Sequence, residues 1–380
     1  DIPEEMGDDD VYYKKTGKTS TRSLRDFHNQ YIKRKLILGA ASKGATLIDL
    51  ACGKGGDFPK WIYGGLAFVF GVDIARDNIE NRLDGICARF LKYRKRYANM
   101  PKCLFVNGDS KLNVRSGDAC ATDQGKKITQ AVFGEGSKDE KKLGKAVFEN
   151  YGVGKDGFDV VSVQFALHYF FQDINTLNGF LQNVSETCKV GGYFIGTCYN
   201  GEEIYKLLED KKPNEGVVII QDDKKMWEIV KRYDSEIFKN DETSLGYKID
   251  VFQESINKSF SEYLVNFTYL HRLLENYGFR KLTKEEAEKL DFPNSVGSFE
   301  ELYHKMESQK STGQLRQFDY GQAFNMNANE KKISFLNNYF IYKKVSNVNS
   351  SQVSLVITES TEEQEDDQTE EGDELSELTK

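Results

Sequence analysis

The chain has 380 residues, 39% of them hydrophobic, enough for one large or two ordinary domains with a real core. No stretch approaches the apolar length of a membrane span and no signal-peptide pattern opens the chain, so no membrane is expected and the protein is expected to be soluble and intracellular. The formal charge of -8 is concentrated at the ends: residues 358–380 hold eleven acids against one Lys and residues 1–10 hold six acids and no base, which leaves 11–357 at +8 and suits a polyanionic substrate.

The first 22 residues read as an acidic and polar entry segment that opens on Asp rather than Met, and the expectation is a fragment of a longer polypeptide. Ser23 to Leu38 reads as an amphipathic helix with Phe27, Tyr31, Leu36 and Ile37 turned to the core. It leads into Thr46-Leu-Ile-Asp-Leu-Ala-Cys-Gly-Lys-Gly-Gly-Asp57, a buried strand running into a glycine-dense turn. Glycines at 53, 55 and 56 let the backbone take positive φ and come close to a ligand. Phe58 to Tyr63 should be helical, and Phe68-Val-Phe-Gly-Val-Asp73 is a second buried strand. It ends in an acid about 20 residues after the turn, the spacing that sets a carboxylate on the ribose of a nucleoside-containing cofactor.

The turn lacks the full Gly-x-Gly-x-x-Gly pattern of dinucleotide sites, and its Lys54 and Asp57 suit S-adenosylmethionine better, whose methionine part offers a carboxylate and whose sulfonium tolerates acids. A helix is predicted from about Asn78 to Tyr97, a third strand at Cys103 to Val106, and Gly108-Asp109-Ser110 just past it. Residues 115–157 read as an insertion ordered only at 128–133 and 143–148. Phe158 to Gln164 is the fourth strand, Leu177 to Cys188 a helix and Gly191 to Thr197 the fifth strand. Strand alternating with helix predicts an α/β fold with a doubly wound, mostly parallel sheet. Beyond Val217 come strand candidates at 217–220 and 247–252, a helix from Glu262 to Tyr277, and a closing strand over Asn338 to Lys343. The acidic stretch from 347 to 380 is expected to be a disordered tail, and removal of 348–380 is expected to leave activity intact. Six scattered cysteines without a Cys-x-x-Cys pair read as buried thiols, and no metal site is expected.

Lys54-Gly-Gly-Asp57, Asp73-Ile-Ala75, Gln164-Phe-Ala-Leu-His-Tyr169 and Gly191-Gly-Tyr-Phe-Ile-Gly-Thr197 together resemble the mRNA cap guanine-N7 methyltransferases, over about 27–342. Trp61-Ile-Tyr-Gly-Gly65 and Asn337-Asn-Tyr-Phe-Ile-Tyr342 look most like the methyltransferase domains of capping enzymes of large DNA viruses. The resemblance implies a class I, Rossmann-like fold over 23–346 with a C-terminal cap-binding extension, S-adenosylmethionine as cofactor, and capped RNA (GpppN) as substrate. Guanylyltransferase and triphosphatase domains of the same polypeptide, and a stimulatory subunit, are implied partners; a viral source would put the protein at a cytoplasmic replication site or in the virion.

Residue by residue, it implies that Lys33 and Lys54 approach the methionine carboxylate at the turn of Gly53, Asp73 takes the ribose, Asp109 with Ser110 faces the adenine, and Gln164 and Tyr169 line the sulfonium side. For the cap it implies Asn29, Lys60, His168, Glu262 and Tyr339, with Phe165 as a wall; Phe340 or Asn337 aligns as an alternative to Tyr339, and Arg82 or Arg89 would add a cap contact. His168 and Tyr169 are expected to position the substrates, with no acid or base in catalysis. The family's first turn glycine is Ala51 here, and its proline before Asn200 is Tyr199. Competing readings are another RNA or small-molecule methyltransferase, and a catalytically silent stimulatory subunit of a capping complex.

Overall fold

The computed structural model describes residues 21–254 and 256–359. The entry segment up to 20 and the acidic end from 360 lie outside the described residues. Strands β1 (Thr46–Asp49), β2 (Phe68–Asp73), β3 (Lys102–Asn107), β4 (Phe158–Gln164) and β5 (Cys188–Tyr199) pair in parallel in the order β5-β4-β1-β2-β3. β2 is buried along its whole length and β4 nearly so, as parallel strands covered on both faces must be. The strand order reverses between β1 and β4, and in open α/β sheets the crevice beyond the strand ends at such a point is where ligands bind.

One face carries the helices at Asp123–Val132, Ile174–Thr187 and Phe267–Asn276, around Phe70, Phe158, Phe180 and Tyr277. The other carries the entry helices, Phe58–Tyr63 and Phe299–Ser311, around Phe27, Trp61, Phe299 and Tyr339. A second, four-stranded antiparallel sheet follows β5: β6 (Gly216–Gln221), β7 (Lys224–Lys231), β8 (Lys248–Gln253) and β9 (Lys258–Tyr263). Its inner face closes a separate core around Trp227, Ile229 and Val251 with Ile204 and Leu208. Short β10 (Phe279–Lys281) and β11 (Val296–Ser298) then pair antiparallel with β12 (Asn337–Lys344), which lies antiparallel on β5.

Several expectations shift. The entry helix is continuous over Arg22–Ala40, but Phe27–Lys33 winds as π-helix, a form that concentrates at functional sites. The predicted helix from 78 to 97 breaks into Arg76–Glu80 and Ile86–Arg96. The region read as an insertion contains the crossover helix Asp123–Val132, whose Val132 with Phe133 packs on β2 and β4 through Phe70 and Phe158. The strands β7 and β9 were not foreseen, and Glu262, expected at a helix start, lies in β9; the helix begins at Phe267 with Asn266 as its cap. The tail expected from 347 is helical over 350–359, with Val353 and Ile357 against the core.

Candidate active site

The turn after β1 is built for close approach. Gly53 and Gly55 have φ of 54° and 78°, and a Cβ on Gly55 would meet the Phe58 ring at 2.4 Å and Ile86 at 2.8 Å. Asp73 fixes the turn from β2: one carboxylate oxygen accepts the Gly53 N–H (2.8 Å), the other the Ala75 N–H and the Asn78 side chain (both 2.9 Å). A carboxylate has about four acceptor sites, so Asp73 keeps one acceptor site while it holds the loop. Arg89 is buried and donates to the Lys54 carbonyl at 2.8 Å, whereas Arg82 is exposed. Arg89 thus belongs to the turn's scaffold.

The lysines of the site are each paired with acids. Lys54 Nζ sits 2.9 Å from both oxygens of Asp84 and 3.1 Å from Asp77; burial works against its charge, but these two acids outweigh it and raise its pKa. Lys33, at the end of the π-helix, and Lys60, in Phe58–Tyr63, instead converge on one atom: both ammonium groups lie 2.9 Å from Asp57 Oδ1. Burial disfavours the Asp57 charge, and the two lysines more than reverse that, holding its pKa below the usual carboxylate range. Asp49, at the end of β1, shows the opposite balance: burial first and then the Asp57 charge push its pKa up to about 7.

Past β3, Ser110 is buried and spends its hydroxyl on the Leu50 carbonyl (2.7 Å), so it braces β1 against β3. Asp109 is half-buried, accepts the Lys111 N–H at 3.1 Å and pairs with its ammonium at 3.3 Å. At the end of β4, Gln164 accepts from Thr197 Oγ1 (3.0 Å) and donates to Ser162 Oγ (3.1 Å). Phe165 follows at φ 53°, a left-handed conformation that costs a non-glycine residue about 1 to 3 kcal/mol and is found where the surroundings over-determine it. Its N–H donates to the Thr197 carbonyl at 2.9 Å, and its ring stacks on His28 at 5.4 Å, beside Asn29 in the π-helix.

The short 3₁₀ turn Leu167–Phe170 then buries His168 and leaves Tyr169 45% exposed. Across from it, in β9, is Glu262, also buried, with Oε1 3.6 Å from His168 Nε2. That separation is too long for a hydrogen bond. Burial pushes the His168 pKa down to about 3 and that of Glu262 up to about 8, so at neutral pH this is an uncharged imidazole beside a mostly protonated acid rather than an ion pair. Neither nitrogen of His168 has a hydrogen-bond partner. Buried polar atoms left unpaired next to a buried acid mark a place shaped for a polar ligand. Beside Glu262 stands Tyr199 at the end of β5, whose hydroxyl accepts the Trp227 Nε1–H at 3.1 Å.

Tyr339 is not at this site. It is fully buried two residues inside β12, opposite Thr197, against Phe292, with its hydroxyl donating to the Asn294 carbonyl at 3.1 Å. Alternation along the strand turns it and Ile341 into one core and Phe340 and Tyr342 into the other, so an aromatic there is packing. Asn337 pairs opposite Tyr199, but its side chain donates to the Ser334 carbonyl. Asp49, His28 and Trp227 were missed by sequence reasoning; Asp57 stood out as an acid inside the lysine-bearing turn, but not its pairing with Lys33 and Lys60. No cluster of three or more His, Cys, Asp or Glu that could hold a metal occurs among the described residues.

A family model described as the mRNA (guanine-N(7))-methyltransferase domain matches residues 8–375. The chain is 26% identical over 366 residues to a "Probable mRNA-capping enzyme" of Acanthamoeba polyphaga mimivirus, covering 92% of this chain and 30% of that protein. It is 30% identical over 269 residues to the mRNA cap guanine-N(7) methyltransferase of Saccharomyces cerevisiae, covering 69% of this chain and 51% of that one. The chain thus spans between about a third and a half of the length of these curated relatives. Among solved structures it is similar to the CcbJ methyltransferase from Streptomyces caelestis, at 12% identity and a TM-score of 0.44, covering 90% of this chain and 98% of that one.

Proposed function

Because the chain belongs to the mRNA (guanine-N7)-methyltransferase family, we propose that it transfers a methyl group from S-adenosylmethionine to N7 of the guanine that caps mRNA, GpppN. The observation that carries the reading is buried His168, neither of whose ring nitrogens has a hydrogen-bond partner, facing buried Glu262 beyond the end of β4, beside the crevice where the strand order reverses. The names of the mimivirus and yeast relatives support it. The residues present fit the cofactor: Gly53 and Gly55 give the turn a positive-φ backbone that only glycine takes readily, Asp73 retains an acceptor site, and Gln164 ends β4 at the same crevice.

When bound, S-adenosylmethionine supplies an electrophilic methyl group. Guanine N7 offers a free lone pair, so the chain has no proton to remove before transfer, and its neutral His168 is a wall and orienter rather than a base. Positioning can supply roughly 7 to 11 kcal/mol when reacting atoms are held close and aligned. Glu262 offers acceptors for the N1 and exocyclic N–H groups of guanine, with Phe165, Tyr169 and Tyr199 as candidate apolar walls. Asn29, exposed Arg82 and Lys60, which is paired with Asp57, are the candidates for the phosphates.

The match to 30% of a capping enzyme supports a domain that works in one polypeptide with triphosphatase and guanylyltransferase activities. No described helix is long and apolar enough to cross a membrane. The deciding experiment is transfer of labelled methyl to GpppA-capped and uncapped RNA, with digestion to locate the label. Label on guanine N7 of capped RNA alone is expected; label on a ribose, or none, would discard the reading.

A further inference from the structure

We propose that Asp57 is a positioning residue that couples the cofactor site to the cap site, as the shared counter-ion of Lys33 and Lys60. The inference rests on the functional reading above, with Lys60 toward the cap phosphates and Lys33 toward the methionine carboxylate as the family resemblance implies. The two lysines come from different elements, one closing the π-helix Phe27–Lys33 and the other in the helix after the glycine turn, yet both ammonium groups lie 2.9 Å from the same oxygen, Asp57 Oδ1. Their side chains are 12% and 6% exposed and that of Asp57 8%, so this is one buried cluster of two cations and one anion.

Away from water the pairing of these charges is strong, and a carboxylate deprived of one partner leans harder on the other. An anion that draws Lys33 off Asp57 therefore tightens the hold of Asp57 on Lys60, which becomes less available to a phosphate. The same argument runs in reverse, and coupling between two binding equilibria is reciprocal by necessity. Asp49, the other buried acid nearby, has its charge disfavoured by burial first and then by the Asp57 charge, which makes it the weaker partner for Lys33 while Asp57 is charged. Each ligand should thus weaken the other, which suits an enzyme that must release two products from adjoining sites.

The test is calorimetry on the full chain with S-adenosylhomocysteine and the cap dinucleotide GpppA. Saturating GpppA is expected to weaken S-adenosylhomocysteine about fivefold or more, within the usual range of such couplings, and the reverse titration should give the same factor. In Asp57→Asn, which keeps the size and drops the charge, both ligands should bind with a factor near one. Lys60→Gln, on the cap side, should weaken S-adenosylhomocysteine in the absence of GpppA, because Asp57 then leans on Lys33 alone. A wild-type factor of one overturns the inference, as does unchanged cofactor affinity in Lys60→Gln or the same coupling surviving in Asp57→Asn. Failure of GpppA to bind the wild type at all would remove the functional reading and this inference with it, whereas independent binding of both ligands removes the inference alone.

Discussion

Glu262 Oε1 lies 3.6 Å from His168 Nε2, and the two side chains reach that position from different sheets: His168 from the turn after β4, Glu262 from the edge strand of the antiparallel sheet. Burial drives their pKa values in opposite directions, so both are uncharged around pH 6 and the gap between them holds no ion pair. The second sheet therefore brings a neutral acid up to the strand ends of the first, where a ligand with N–H donors can turn it into a carboxylate.

That conversion is measurable. Donors to a carboxylate favour its charged form and lower its pKa, so binding of a guanine edge near pH 7 should release up to one proton from Glu262. Calorimetric titration with GpppA in buffers of different ionisation enthalpy reads the release directly, and Glu262→Gln should abolish it. A buffer-independent heat in the wild type would show that the acid does not face the bound base.

The same two groups shape stability against pH in the free protein. The folded-state pKa of Glu262 is raised from 4.5 to about 8, so its contribution is fully present below pH 4.5 and is lost as pH rises toward 8. His168 is lowered from 6.5 to about 3, so its contribution is present above pH 6.5 and is lost as pH falls toward 3. Thermal unfolding of Glu262→Gln should accordingly fall less between pH 5 and 8 than that of the wild type. Parallel curves would mean that Glu262 is hydrated and already charged.

Tyr339→Phe tests whether β12 contributes to packing or to the cap site. With the hydroxyl bonded to the Asn294 carbonyl inside the core, its removal should cost about 1 kcal/mol in stability and leave the Michaelis constant for capped RNA within about twofold. A large rise in that constant with unchanged stability would return Tyr339 to the site.

The central sheet was legible because its strands are buried on both faces: Phe158 to Gln164 and Phe68 to Asp73 are near-continuous apolar runs, and the glycine turn between β1 and its helix has a local signature. The second sheet was not, because a largely exposed edge strand such as Lys258–Tyr263 buries a single residue, Glu262, and so shows no strand periodicity, leaving Glu262 to read as a helix-start acid. Of the site, Gln164, Phe165 and His168 come from one contiguous segment and were visible together. The partners that define them, His28 against Phe165 and Trp227 against Tyr199, are distant in sequence and no local pattern announces them. Lys54 misled for a related reason: its place in the turn was plain, but Asp77 and Asp84, which hold it, lie beyond the next strand.

The helix at 350–359 revises the expected behaviour of the C-terminal end. Ser350, Ser351 and Thr358 hydrogen-bond to Glu186, Gln182 and Asn178 of Ile174–Thr187, while Val353 and Ile357 pack beside them. Truncation after 359 should leave thermal stability and methylation unchanged. Truncation after 346 should lower stability by about 1 to 3 kcal/mol, from two partly buried aliphatic side chains and the lost bonds. Equal unfolding temperatures for the two truncations would mean that the helix contributes nothing.

The functional weight of Glu262 is tested by Glu262→Gln, which keeps the size of the side chain and removes its capacity to become a carboxylate. Hydrogen bonds to a charged acceptor contribute about 1.5 to 3 kcal/mol, so methylation of capped RNA should fall by tens-fold or more while S-adenosylhomocysteine binds as before. Positive charge develops on the guanine ring as N7 is methylated and makes the N1 proton more acidic. An acid at that edge therefore interacts more strongly in the transition state than in the ground state, and such an interaction is lost from kcat as well as from kcat/KM. A Glu262→Gln protein with full activity on capped RNA, or one that loses cofactor binding to the same extent, would leave Glu262 as a buried acid without a role in reading the cap.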